Sequence, residues 1–241
     1  MPGIIKKPGT TNTTKDSQEK ISLDDGRKLS SGEIELCKKL FGNAIDYRFV
    51  RIHKGKLIPG IQSDQVSMTP WGELHMPNEN YMDDFSKIDE KRKNYLHHFM
   101  HEMAHVWQFQ RRSTYSRGTV VLCGSVLSVA TGVANLLESI GQALPEAVGE
   151  PIENLAGSVD PYTYKDTPPT DFFSYNMESQ AEILADYFMS SIMGHQNYVG
   201  KHSNRRIRSQ FFYENTLQNF FVEIEKFNTK NRDLKKQWNL E

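Results

Sequence analysis

Residues 95–108 read Tyr95-Leu96-His97-His98-Phe99-Met100-His101-Glu102-Met103-Ala104-His105-Val106-Trp107-Gln108. They contain the pattern His101-Glu102-x-x-His105. On a helix, residues four apart lie one turn above each other on the same face, so the two imidazoles can converge on one ion while Glu102 projects beside them. The stretch therefore predicts a helix that carries a zinc site of the hydrolytic kind.

The residue types suit that chemistry. Catalytic zinc takes three protein ligands and keeps a fourth position open for water. His101 and His105 would supply two nitrogen ligands, and a carboxylate beside the water can take its proton and pass it to a leaving amine. We expect Glu102 to be this general base, and we do not expect it to bind the metal.

The flanking sequence places the motif in the middle of a helix. Ser86-Lys87-Ile88-Asp89 is typical of a helix start, and apolar residues follow at helical spacing to about Gln110. His97 lies one turn before His101 and could in principle be a ligand, but a pair of His97 and His101 has no glutamate placed as base. We therefore interpret His97 and His98 as residues that support the ligands or lie on the surface.

A second helix is predicted over residues 176–188, and it offers candidates for the third ligand in Glu178, Gln180 and Glu182. Carboxylates at i and i+4 share a face, so one can bind metal while the next makes hydrogen bonds behind the ligands. Asp186, one turn further on, is a candidate for the same supporting role. Spacing alone does not choose between Glu178 and Glu182.

Composition limits the class of protein. The 241 residues hold 29 Lys and Arg against 30 Asp and Glu, with a net charge of -1. No concentrated basic face is visible, which argues against a dedicated nucleic-acid binder. We expect a flexible leader over residues 1–29, one domain over 30–230 with an insertion at 118–170, and a tail at 231–241.

The two cysteines and the N-terminus say little about compartment. Cys37 falls on an apolar helix stripe and is expected in the core, and its distance from Cys123 leaves a disulfide undecided. The first residues lack a continuous apolar segment and a small-residue cleavage site, so no signal peptide is predicted. Synthesis in the cytoplasm followed by delivery through another machine is the expectation.

The elements around the motif predict an α+β domain. Ser30-Ser31-Gly32-Glu33 opens a helix that closes at Gly42-Asn43. A strand is expected over Tyr47–His53, and a hairpin is expected where residues 65–68 and 73–76 flank Thr69-Pro70-Trp71-Gly72. A C-terminal amphipathic helix is expected to begin in the basic run Lys201–Arg208.

Residues 118–137 contain no charged side chain. Their length would just span a bilayer, so membrane contact is one interpretation. The stretch also contains Thr, Ser, Asn and three glycines, and it lies between the two metal motifs. A buried or groove-lining helical insertion is the favoured interpretation.

Residues 101–108 and Tyr175-Asn176-Met177-Glu178-Ser179-Gln180-Ala181 together resemble the zinc metallopeptidase effector domains of type VI secretion spike proteins of the VgrG type and of Rhs-repeat proteins. Residues 40–47 and Met68-Thr69-Pro70-Trp71-Gly72 also fit that pattern, so the resemblance covers about residues 29–188. It implies a zincin-like fold with a small sheet, the His-Glu-x-x-His helix, a glutamate helix and a C-terminal helix.

The resemblance also implies a site and a biological role. The zinc ligands would be His101, His105 and Glu178, with Glu102 as general base. The protein would be an antibacterial toxin that is carried by a spike or Rhs protein into a neighbouring cell, with the periplasm as its place of action. An immunity protein would protect the producing cell, and the substrate would be a protein or peptide.

Alternatives remain at this stage. A tetrahedral oxyanion needs a donor besides zinc, and the candidates are Tyr162, Tyr164, Tyr175 and His195, of which Tyr175 is named as a possible donor and the sequence selects none. The enzyme could instead be a cell-wall amidase or peptidase that acts on peptidoglycan. A non-enzymatic rival would be a membrane-active toxin whose metal site is structural and closed by a fourth protein ligand.

Overall fold

The structure is a computed structural model that describes residues 26–57, 66–69, 72–87, 89–111, 162–165, 168–198, 200 and 208–237. The described part is rich in helix, and it also contains a small parallel sheet. Its helices and strands are α1 (Ser31–Phe41), β1 (Ile52–Lys54), β2 (Leu74–Met76), α2 (Lys93–Arg111), α3 (Met177–Tyr187), α4 (Gln210–Thr216) and α5 (Gln218–Gln237). The predicted apolar insertion at 118–137, Cys123 and the turn residues Pro70 and Trp71 lie outside the described residues.

Helix α1 begins as predicted. Ser30 caps its first turn, and the Ser30 and Glu33 side chains form a reciprocal capping box. Glu33 is fully buried and accepts two hydrogen bonds from the Arg27 guanidinium, at 2.8 and 2.9 Å. Leu29 is buried as well, so residues 26–29, which the sequence placed in the leader, pack onto the domain.

The sheet differs from its prediction in one strand. Residues Tyr47–Phe49 form a turn of 3-10 helix because the Asp46 side chain accepts a hydrogen bond from the Arg48 amide. The strand begins later, at Ile52, and pairs in parallel with β2, with His53 opposite His75. Alternation in the sequence therefore indicated a strand about five residues too early.

The predicted hairpin is present as a single antiparallel bridge. Met68 exchanges two backbone hydrogen bonds with His75, at 2.7 and 3.1 Å. The segment 66–69 therefore runs beside β2, opposite in direction to it. This pairing brings Thr69 next to the helix that carries Glu102.

Helix α2 is anchored by its apolar face. Asp89 caps a short 3-10 turn at Glu90–Arg92 that leads into the helix, close to the predicted start. Trp107 packs against Phe41, Phe172 and Phe220, with ring centroids 5.1 to 6.5 Å apart. Burial of these large rings fixes the rotation of α2, so its opposite face presents the histidines to α3.

The C-terminal region forms two helices where the sequence predicted one. Ser209 caps α4, and the helix is interrupted at Leu217. Helix α5 then continues to Gln237, beyond the predicted end of the domain at residue 230. The basic run 201–207 lies outside the described residues. None of the described helices is both long enough and apolar enough to cross a membrane.

Candidate metal centre

The start of α3 explains the position of Glu178. The Asn176 side chain accepts a hydrogen bond of 2.8 Å from the Ser179 amide and so caps the helix. Glu178 lies in the first turn, where the helix dipole favours a negative charge. Local sequence thus fixes both the helix start and the place of this carboxylate on it.

Three histidines of α2 face three carboxylates of α3. Each set repeats every four residues and so forms a row along one helix face. The rows run in opposite directions: His97 contacts Asp186, His101 contacts Glu182 and Glu178, and His105 contacts Glu178. All six side chains are buried.

One end of this row has the geometry of a metal site. The Nε2 atoms of His101 and His105 are 3.1 Å apart, and they lie 3.3 and 3.4 Å from Glu178 Oε2. Ligand atoms held by zinc at tetrahedral angles lie roughly 3.3 Å from one another. The three donor atoms of this cluster, called here the helix cluster, are therefore spaced as the ligands of a zinc ion would be.

The outer nitrogens of the same two imidazoles have their own partners. His101 Nδ1 lies 3.0 Å from Glu182 Oε2, and His105 Nδ1 lies 2.7 Å from Gln108 Oε1. Gln108 is held in turn by the Met177 carbonyl at 3.0 Å. Acceptors at Nδ1 select the tautomer whose Nε2 lone pair faces Glu178, which is how supporting residues orient metal-binding histidines.

The charges of the helix cluster favour a cation. Burial alone would raise the pKa of Glu178, but the two imidazoles outweigh burial and hold that pKa well below its usual value. Burial would likewise lower the pKa of His101, yet its hydrogen bonds to the Glu178 and Glu182 carboxylates raise that pKa well above 6.5. The carboxylates thus stabilise positive charge at the point where the three donor atoms meet.

The other end of the row is a hydrogen-bonded support. His97 Nε2 lies 3.0 Å from Asp186 Oδ1 and 3.7 Å from Glu182 Oε1. Asp186 also accepts a hydrogen bond of 2.7 Å from the Tyr164 hydroxyl. A Cβ atom at Gly200 would lie only 2.8 to 2.9 Å from polar atoms of His97, Glu182 and Asp186. His97, Glu182 and Asp186 therefore form a second buried group, which Glu182 links to His101 and which could itself hold a metal ion. Their supporting role stays a prediction.

Glu102 lies on the adjoining face of α2 and is almost fully buried. Its Oε2 accepts a hydrogen bond of 2.5 Å from the Thr69 hydroxyl. Its Oε1 lies 3.9 Å from His98 Nε2, and that nitrogen lies 2.6 Å from the Ser67 hydroxyl. Glu102 therefore lies outside the triangle of donor atoms, and its role as general base stays a prediction.

The four side chains predicted as candidate oxyanion donors have different surroundings. The Tyr175 hydroxyl donates to the Lys165 carbonyl at 2.7 Å, and the Tyr164 hydroxyl donates to Asp186. The His195 side chain lines an open cleft together with Tyr198. The ring of Tyr162 lies 5.8 Å from that of His101, and the role of Tyr175 as oxyanion donor stays a prediction.

A second group contains the same residue types. His53 and Glu73 are in contact, with His53 Nε2 2.7 Å from Glu73 Oε2, and the His75 ring stacks on that of His53 at 4.3 Å and 4°. Burial lowers the pKa of His75 to about 4, with a further contribution from His53. One donor atom from each of the three side chains lies within 4.8 Å of the others. Because the two stacked rings lie in nearly parallel planes, however, their in-plane lone pairs cannot meet at one point, and this group is called here the strand cluster.

Sequence reasoning missed three residues of the site. Thr69 was read only as part of a turn, Gln108 only as the end of a motif, and Gly200 was not considered. Gln108 carried a usable signal, because it lies three residues after His105 on the same helix. Thr69 and Gly200 carried none, since only folding brings them to α2 and α3.

No protein-family model matches the chain. A region of 165 residues is 33% identical to the type VI secretion system spike protein VgrG2b of Pseudomonas aeruginosa, and it covers 68% of this chain and 13% of that protein. The solved effector domain of VgrG2b shares 29% identity with a TM-score of 0.46, over 69% of this chain and 75% of that domain. The sequence similarity relates this chain to a type VI secretion effector carried on a spike protein.

Proposed function

We propose that this protein is a zinc-dependent peptidase that acts as an antibacterial effector. The observation that carries the proposal is the triangle formed by His101 Nε2, His105 Nε2 and Glu178 Oε2, whose edges of 3.1 to 3.4 Å match those expected around zinc. The described residues place three donor atoms at this point, which is the number that a catalytic zinc site uses.

A zinc ion in this site supplies electrophilic activation of water and of an amide carbonyl. His101, His105 and Glu178 hold it, and Glu182 and Gln108 keep the two imidazoles in the required tautomer. Glu102 takes a proton from the attacking water and delivers it to the leaving nitrogen. Its burial limits competing solvent around the carboxylate.

The biological role rests on the similarity to the spike protein VgrG2b. We propose delivery of this chain on a spike or Rhs-type carrier into a neighbouring bacterium, with action in the periplasm. An immunity protein in the producing cell belongs to the same proposal. The matched region spans 13% of the relative, so these partners are proposed for this chain and not transferred as facts.

The test combines two substrates with one variant. Wild-type protein and Glu102→Gln are incubated with labelled casein and with purified peptidoglycan sacculi after zinc loading. Cleavage of casein by the wild type alone supports the peptidase, and cleavage of sacculi alone selects the cell-wall alternative. If the wild type cleaves neither, or if Glu102→Gln is as active or as toxic as the wild type, the enzymatic proposal is wrong and a structural metal site is favoured.

A further inference from the structure

A buried hydrogen bond joins Thr69 to Glu102. The two side chains are 1% and 2% exposed, and the distance from Oγ1 to Oε2 is 2.5 Å. This is the short length typical of a hydroxyl that donates to a carboxylate. We propose that Thr69 is a positioning residue that holds the general base in its working orientation; the inference rests on the function proposed above.

Thr69 is held independently of the helix that it contacts. The preceding residue, Met68, exchanges two backbone hydrogen bonds with His75 of β2. The hydroxyl of Thr69 is therefore anchored to the sheet, while Glu102 is anchored to α2. The contact fixes the carboxylate relative to two separate elements, which a residue of α2 could not do.

The carboxylate needs such a partner. The final torsion of a glutamate side chain is broad and roughly two-fold, so packing on α2 alone leaves the plane of the two oxygens poorly defined. Donation by Thr69 to Oε2 selects one plane and leaves Oε1 for proton exchange. Threonine is suited to this role because its branched Cβ restricts the first side-chain torsion.

Ser67 provides a matched comparison on the same segment. It lies two residues before Thr69, on the same face of the extended chain, and its hydroxyl lies 2.6 Å from His98 Nε2. It has the same kind of hydroxyl, yet it reaches Glu102 only through His98, whose Nε2 lies 3.9 Å from Glu102 Oε1. A change at Ser67 disturbs the segment without removing the donor to the base.

The experiment compares Thr69→Val, Thr69→Ser, Ser67→Ala and Glu102→Gln, each loaded with zinc. The probe is labelled casein, or sacculi if the wild type cleaves only those. We expect Thr69→Val to lower kcat about 10- to 100-fold with little change in KM, because a misplaced catalytic group costs rate and not binding. Thr69→Ser keeps the donor and should recover most of the rate. Ser67→Ala removes the partner of His98 but leaves the Thr69 donor in place, so it should lower kcat less than Thr69→Val does.

The order of the two Thr69 variants decides between positioning and packing. Valine keeps the shape of threonine and serine keeps its hydroxyl, so a packing role predicts that Thr69→Val is the better enzyme. That order, or wild-type kcat in Thr69→Val, overturns the inference while an inactive, zinc-loaded Glu102→Gln leaves the peptidase proposal intact. Activity in Glu102→Gln, or a wild type that cleaves neither probe, overturns both.

Discussion

The helix cluster of His101, His105 and Glu178 and the strand cluster of His53, Glu73 and His75 combine the same groups, two imidazoles and one carboxylate. In the helix cluster the two rings are inclined at 72°, and in the strand cluster they are parallel to within 4°. One helical turn separates His101 from His105 and lets their rings tilt toward Glu178 on α3. Direct pairing of parallel strands instead stacks the rings face to face.

The comparison teaches that residue type and proximity do not define a metal site. A metal site also needs lone pairs that converge on one point. The outer nitrogen of each imidazole needs a hydrogen-bond partner as well. His101 and His105 have acceptors at Nδ1, while His53 uses its Nε2 to contact Glu73. The predictions below test whether this difference in geometry produces a difference in chemistry.

The largest expected difference is in metal content. His101→Ala and Glu178→Ala should each reduce zinc from about one per chain to near zero, because each removes one of three ligands. His75→Ala should retain about one zinc per chain, since the strand cluster does not converge. Elemental analysis after dialysis measures both. Two zinc ions in the wild type with one lost in His75→Ala would break the comparison.

The next effect is on catalysis at unchanged metal content. Glu102→Gln should lower hydrolysis about 10²- to 10⁴-fold, the usual contribution of a general base. It should keep its zinc, because Glu102 lies outside the triangle of donor atoms. Hydrolysis of labelled casein and elemental analysis of the same preparation provide the two readings. Loss of zinc in this variant would place Glu102 among the ligands.

A smaller effect distinguishes the two glutamates that spacing left open. Glu182→Gln should weaken zinc binding about 10- to 100-fold by removing the carboxylate behind His101. Glu178→Gln should weaken it further, because Glu178 Oε2 lies within 3.4 Å of both Nε2 atoms. Competition with a chromogenic chelator measures both affinities. The reverse order would make Glu182 the ligand.

The smallest effect concerns the strand cluster and pH. Since the pKa of His75 is about 4 in the folded protein against about 6.5 in the unfolded chain, the unfolded state binds the proton first as pH falls. The His75 contribution is thus fully present above about pH 6.5 and is lost as pH falls towards 4, by about 3 kcal/mol at most. Urea unfolding of wild type and His75→Gln at several pH values measures it. If the free energy of unfolding depended on pH equally in both proteins, the result would contradict the buried, stacked arrangement of His75.

The sequence predicted well those features that depend on neighbours along the chain. The capping of α1 by Ser30, the start of α2 near Asp89 and the start of α3 close to residue 176 all follow from local hydrogen bonding. The strand at Tyr47–His53 was misplaced because the Asp46 side chain competes for the backbone there. Local rules fail where a side chain offers the backbone a second partner.

The same distinction between local and tertiary causes applies to the candidate site. The sequence by itself determined that His101 and His105 share a face and that Glu102 lies beside them, because helical periodicity is a property of consecutive residues. Only the tertiary structure decided that Glu178 meets their Nε2 atoms, that Glu182 lies behind His101, and that Thr69 holds Glu102. The offset between two helices and the approach of a strand to a helix are set by packing of side chains distant in the chain, which no local pattern encodes.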